Sequence, residues 1–201
     1  MKKFICVSPH QPATQFSAGI YEAVDNEKLV FHSSTGFPIM NVINGYTEKG
    51  DDIEIITVVS NYDNAKRNYD VLKKEINAFV QTRGIRVTFI PVEIPYCDKL
   101  DTQLNLFEKL IDCMAESDIL FCDITYGTKV MSQILTMALN YGYRIHKDVT
   151  FGCIVYGSMN HTTNERKIYD ITSLNYMDEI VRMLAENHVT NPAAMIKGLL
   201  K

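Results

Sequence analysis

The apolar positions of this chain switch between two periods. Runs rich in β-branched residues at 3–8, 52–60, 85–94 and 149–156, with the apolar run Ile119, Leu120, Phe121, read as strands buried on both faces. Between them the spacing changes to three and four. Ala65, Tyr69, Leu72, Ile76, Phe79 and Val80 mark one face of a long helix that Asn61 and Asp63 open and Gly84 closes. Leu104, Phe107, Leu110, Ile111 and Met114 mark a second helix, capped by Asp98 or Asp101, and the run 130–141 marks a third. Ser33 to Thr35 and Pro38 announce a helix through Ile39, Val42 and Ile43 that ends near Gly50, while 21–31 reads as a short hairpin or an irregular excursion.

Strands alternating with helices predict an α/β fold: a Rossmann-like, mainly parallel sheet flanked by helices. After the fifth strand the pattern changes. Residues 157–164 are polar and turn-like, and 167–171 read as a short strand pairing back on an edge. Leu174, Met177, Val181 and Leu184 define a helix, and Pro192 starts a short final one. The expected organisation is one Rossmann domain over 1–185 with a small C-terminal hairpin and a helical extension over 186–201, with no internal repeat.

Composition narrows the class. The chain has 201 residues, 46% hydrophobic and 22% charged, which suits a single globular domain. A net charge of −4 argues against a nucleic-acid coat or a binder of anionic membranes, yet leaves room for a small anionic ligand in a locally positive pocket. The five cysteines are odd in number, form no C-x-x-C pair, and three of them (Cys6, Cys122, Cys153) fall in strands. They read as reduced, buried thiols of a cytoplasmic protein. The apolar part of the N-terminus is too short for a signal peptide, and no run reaches membrane-spanning length.

The candidate chemistry lies in 118–133, DILFCDITYGTKVMSQ. A strand gives way to a polar turn, Thr125, Tyr126, Gly127, Thr128, Lys129, and then to a helix. Such a turn aims backbone N–H groups and the positive end of a helix dipole at one spot, with Lys129 and two threonine hydroxyls beside it. The natural guest is a phosphate. The stretch is neither a Walker A loop nor a G-x-G-x-x-G fingerprint, and an ordinary βα connection has the same needs. In the common strand order, strand one lies beside strand four at the point where crossovers change face. The loop after strand one (Ser8, Pro9, His10, Gln11) then joins the 125–129 turn in one site, with Ser60 and Asn61 flanking. His10 is a general-base candidate if its loop folds over a ligand, and otherwise a solvated loop residue; His161 has a similar case. No His/Cys/Asp cluster has metal-ligand spacing, and no cofactor is called for.

The stretch Asp123 to Ser132 resembles the ligand loop of the CARF family, the Rossmann-like sensor domains of type III CRISPR defence. It blends two family forms, D-x-T-H-G and T-G-G-T-K-x-M. Val7-Ser8-Pro9 fits the family's first ligand loop, and Val155-Tyr156-Gly157 followed by Tyr169 to Thr172 resembles the end of the domain. The resemblance covers roughly 1–185. It implies a homodimer that binds cyclic oligoadenylate, cyclic tetra-adenylate ahead of cyclic hexa-adenylate, through Ser8, Pro9, Gln11, Ser60, Asn61 and Thr125 to Lys129. It also implies a ring nuclease without metal, with Lys129, Ser8 and His10 as its catalytic candidates. Tyr126 stands where the family has Gly or His. Arg182 and His188 have the spacing of a HEPN ribonuclease motif, but the chain around them is too short for that helical bundle. A sensor that signals to a separate effector is the alternative. A transcription regulator ranks below both, because the last helices are not basic, and no duplex DNA or membrane partner is expected.

Overall fold

The computed structural model describes residues 1–160 and 162–200, so the reading of His161 lies outside the described residues. The strands are β1 (Lys2–Val7), β2 (Glu22–Ala23), β3 (Asp52–Ser60), β4 (Arg86–Ile94), β5 (Ile119–Asp123), β6 (Thr150–Met159) and β7 (Arg166–Asp170). The helices are α1 (Ile39–Tyr46), α2 (Asp63–Arg83), α3 (Leu100–Ile111), α4 (Lys129–Ile145), α5 (Thr172–Glu186) and α6 (Pro192–Leu199), with a 3-10 turn over Glu27–Leu29.

The sheet runs β2-β7-β6-β5-β1-β3-β4. From β6 to β4 every pairing is parallel; β7 runs antiparallel to β6, and β2 runs parallel to β7. This is the Rossmann-like α/β fold read from the sequence, with β1 between β3 and β5. Both sheet faces are covered. One core joins the sheet to α1 and α2 through Ile39, Val42, Ile43, Leu72 and Ile76. The other joins it to α3 and α4 through Leu106, Leu110, Leu135 and Leu139. The central strands are therefore apolar at nearly every position, as a doubly covered sheet demands.

Boundaries in 52–94 match closely, because Gly84 takes the left-handed conformation (φ 66°) that ends α2. Four expectations need correcting. Helix α1 stops at Tyr46, short of Gly50. Neither Asp98 nor Asp101 caps α3; its N-cap is Lys99, with no side-chain bond, and Leu104 is exposed. Strand β6 continues through Gly157 to Met159, where the polar sequence suggested a turn, because β7 supplies a ladder partner for each of those residues. Helix α5 is also rotated from its apolar stripe. It buries Asn175 and Glu179 and exposes Leu174 and Val181. Arg144 on α4 is the reason: it pairs with both Glu179 and Asp178, so the polar side of α5 faces inward.

No helix among the described residues is long and apolar enough to cross a membrane. All five cysteines are free thiols. Burial pushes the Cys6 and Cys153 thiols up to about 12, so neither ionises at neutral pH.

Candidate functional site

The carboxyl ends of β1, β3, β4, β5 and β6 form one edge, and the polar loops gather there. At its centre is the turn from β5 to α4. Thr128 is the N-cap of α4 in extended conformation, and its Oγ1 accepts from the Met131 N–H at 3.3 Å. Gly127 has φ 97°, and an added Cβ would lie 3.1 Å from both Met131 Sδ and Val7 Cγ1, so the turn requires glycine. Lys129 opens α4 and is exposed beside Gly127, at the positive end of the helix dipole.

Asp123 sets this turn from below. It is buried, and its two oxygens accept from the backbone N–H groups of Thr125 (2.9 Å) and Ile39 (3.1 Å). Burial pushes its carboxyl up to about 6, against the pull of those hydrogen bonds. Thr125 continues the scaffold, its Oγ1 accepting from the Gly157 N–H at 2.7 Å. Tyr126 turns inward: its hydroxyl donates to Gly36 O at 2.6 Å and its ring approaches Phe16. Burial raises its pKa, so the phenol stays neutral.

The loop after β1 is pinned by α2. Ser8 is fully buried, and its hydroxyl donates to Ala65 O at 2.6 Å. Asn68 Nδ2 donates to the carbonyls of Pro9 (2.7 Å) and Gln11 (3.0 Å). His10 turns toward β3, with Nε2 2.9 Å from the buried Ser60 hydroxyl and its ring edge-on to Tyr62 and Tyr96. Burial lowers its pKa, with Asp98 acting the other way. Asn61 Oδ1 accepts from Lys66 Nζ at 2.6 Å.

The sequence-derived residues thus fall into three places. Gln11, Thr125 and Tyr126 line a cavity of about 240 Å³. Gly127, Thr128 and Lys129 form the helix start beside it. His10, Ser60 and Asn61 form a separate group on the β3 side, with Ser8 and Pro9 buried beneath. The cavity's other walls are Gln15, Phe16, Ser17, Tyr21, the end of β6 from Tyr156 to Met159, and Arg166 on β7. Sequence reasoning missed these. A signal was present for Arg166: it alternates with Ile168, which is fully buried, so it shares the inward face of β7.

A depression of about 740 Å³ lies between α3, α4 and α5. Its walls are mostly apolar, and its one cation, Arg144, is already paired, so it offers an anion nothing. Among the described residues no group of three or more His, Cys, Asp or Glu is placed to hold a metal ion. Compared with known proteins, the chain matches no family model and no curated protein.

Proposed function

We propose that this protein binds a cyclic oligoadenylate, cyclic tetra-adenylate ahead of cyclic hexa-adenylate, as a homodimer in cytoplasmic type III CRISPR antiviral defence, and that it opens the ring. The carrying observation is the meeting of two features at the switch point of the sheet. One is a helix start with an exposed lysine, suited to a phosphate. The other is an adjoining cavity that brings aromatic rings, amides and the buried Arg166 together, suited to a further part of the same nucleotide ligand. At about 240 Å³ that cavity takes one part of one nucleotide, in keeping with a ligand shared by two copies. The CARF-like loop from Asp123 to Ser132 supplies the cyclic and adenylate parts of the reading.

The exposed apolar residues Met137 and Ile145 on α4 and Leu174, Val181 and Met183 on α5 support a paired state, since a lone chain gains nothing by leaving them in water. In the cleavage step a ribose 2′-oxygen attacks the adjacent phosphorus and its proton passes to solvent. The 5′-oxygen leaves and takes a proton from solvent, giving a 2′,3′-cyclic phosphate. Lys129 and the N–H groups at the start of α4 would stabilise the phosphoryl oxygens. Ser8 and His10 remain candidates beside it, with the Ser8 hydroxyl donating to Ala65 O and His10 Nε2 meeting the Ser60 hydroxyl within the fold.

The test is incubation with each ring in the absence of metal, with products resolved by chromatography and mass. Linear products ending in a 2′,3′-cyclic phosphate, lost in Lys129→Ala, are the expected result. Tight binding with the ring recovered intact would make the protein a sensor for a separate effector. No binding of either ring would overturn the proposal.

A further inference from the structure

Arg166 carries a charge that the fold leaves unanswered. It is 7% exposed, and Nη1 and Nη2 donate to the carbonyl and hydroxyl oxygens of Ser17 at 2.9 and 2.8 Å. Both acceptors are neutral. The other buried charges among the described residues all have answers. Lys3 lies 3.2 Å from Glu54 and 3.0 Å from Asp118, and Asp118 also meets the N-terminal amine. Glu179 pairs with Arg144 and Arg182, and Asp123 accepts from two backbone N–H groups. Among the described residues, no carboxylate lies within ion-pair distance of Arg166.

The surroundings keep this cation in place. A Cβ on Gly19 would fall 2.3 Å from Arg166 Nε, so the chain leaves space there for the guanidinium. Its Cζ sits 5.7 Å from the centre of the Tyr21 ring. Arg166 lines the 240 Å³ cavity, and no Asp or Glu does. Ser17 Oγ already accepts from Arg166, so its own proton remains for donation into the space. A buried guanidinium beside a free hydroxyl donor, in a cavity without carboxylates, is built for an anion.

We infer that Arg166 and Ser17 form an anion subsite that holds a phosphoryl group, separate from the one at Lys129. The inference deepens the proposed function and rests on it only for the ligand's identity. A ligand that fills both subsites carries at least two phosphates, and a mononucleotide fills only one.

The test compares the full chain with Arg166→Met and Ser17→Ala. Thermal unfolding is followed in inorganic phosphate against chloride at matched ionic strength, and cyclic tetra-adenylate is titrated in parallel. Phosphate is expected to raise the Tm of the parent and to do so much less in both variants. Arg166→Met keeps the apolar stem and removes the unanswered charge, so its Tm in chloride should equal or exceed the parent's. Its affinity for cyclic tetra-adenylate should fall about tenfold or more. Phosphate that leaves the parent unmoved, or that stabilises parent and variants equally, overturns the subsite. If Arg166→Met fails to fold, Ser17→Ala decides by losing or keeping the phosphate response. A phosphate response that depends on Arg166, without binding of cyclic tetra-adenylate, upholds the subsite and overturns the ring assignment alone.

Discussion

Asp123, the last residue of β5, accepts a hydrogen bond at 3.1 Å from the backbone N–H of Ile39, 84 positions earlier in the chain. Its other oxygen accepts from the Thr125 N–H at 2.9 Å. One carboxylate thereby ties the first turn of α1 to the turn that carries Lys129. An anion at the start of a helix is also favoured by the helix dipole. The turn from Thr125 to Lys129 is thus held from beneath by a buried carboxyl group.

Asp123→Ala should therefore destabilise the protein by about 2–4 kcal/mol, since two N–H groups lose their acceptor. Folded Asp123 takes up its proton near pH 6, whereas an unperturbed aspartate does so near 3.8. Between those values the folded state holds more protons, so the contribution of Asp123 is full below about 3.8 and declines as pH rises through about 6. Urea unfolding of parent and variant across that window should show their difference shrinking with rising pH.

Gly127→Ala forces an L residue into φ 97° and sets its Cβ 3.1 Å from Met131 and Val7. A loss of about 1–3 kcal/mol is expected, and ligand affinity should fall with it because the turn must move. Unchanged stability would mean that the turn adopts another conformation.

Lys129→Ala should lower affinity without the loss of stability. Lys129 is exposed, so thermal stability should stay within about 0.5 kcal/mol of the parent. Affinity for cyclic oligoadenylate should drop about tenfold, and that of the parent should weaken with added salt. Equal titration curves for parent and variant would remove Lys129 from the site.

His10 is expected to titrate below the usual 6.5 in an NMR series, because burial opposes its charged form. The unfolded chain then binds the proton more readily. The stability contributed by His10 is present above pH 6.5 and is lost as pH falls through the lower, folded value. A midpoint above 6.5 would contradict its packing against Tyr62, Tyr96 and Ser60.

What the sequence determined was whatever depends on neighbours along the chain. The strand and helix periods give the α/β class, Gly84 gives the end of α2, and the contiguous run Thr125 to Lys129 gives a helix start with a lysine. The caps and φ values behind these features act over a turn or less, so the residues that carry them stand side by side. The tertiary structure decided whatever depends on residues far apart. Ser8 and His10 adjoin the turn in sequence logic, yet α2 draws the Ser8 hydroxyl inward and the buried hydroxyl of Ser60 draws His10 aside. Leu174 and Val181 mark the apolar stripe of α5, yet the ion pairs from Arg144 turn its polar side inward. Arg166 reaches the cavity only because β7 pairs back on β6 and brings it to Ser17, 149 positions away. Alternation with Ile168 puts Arg166 on the inward face of β7, but the partners of that buried charge are set by packing between elements.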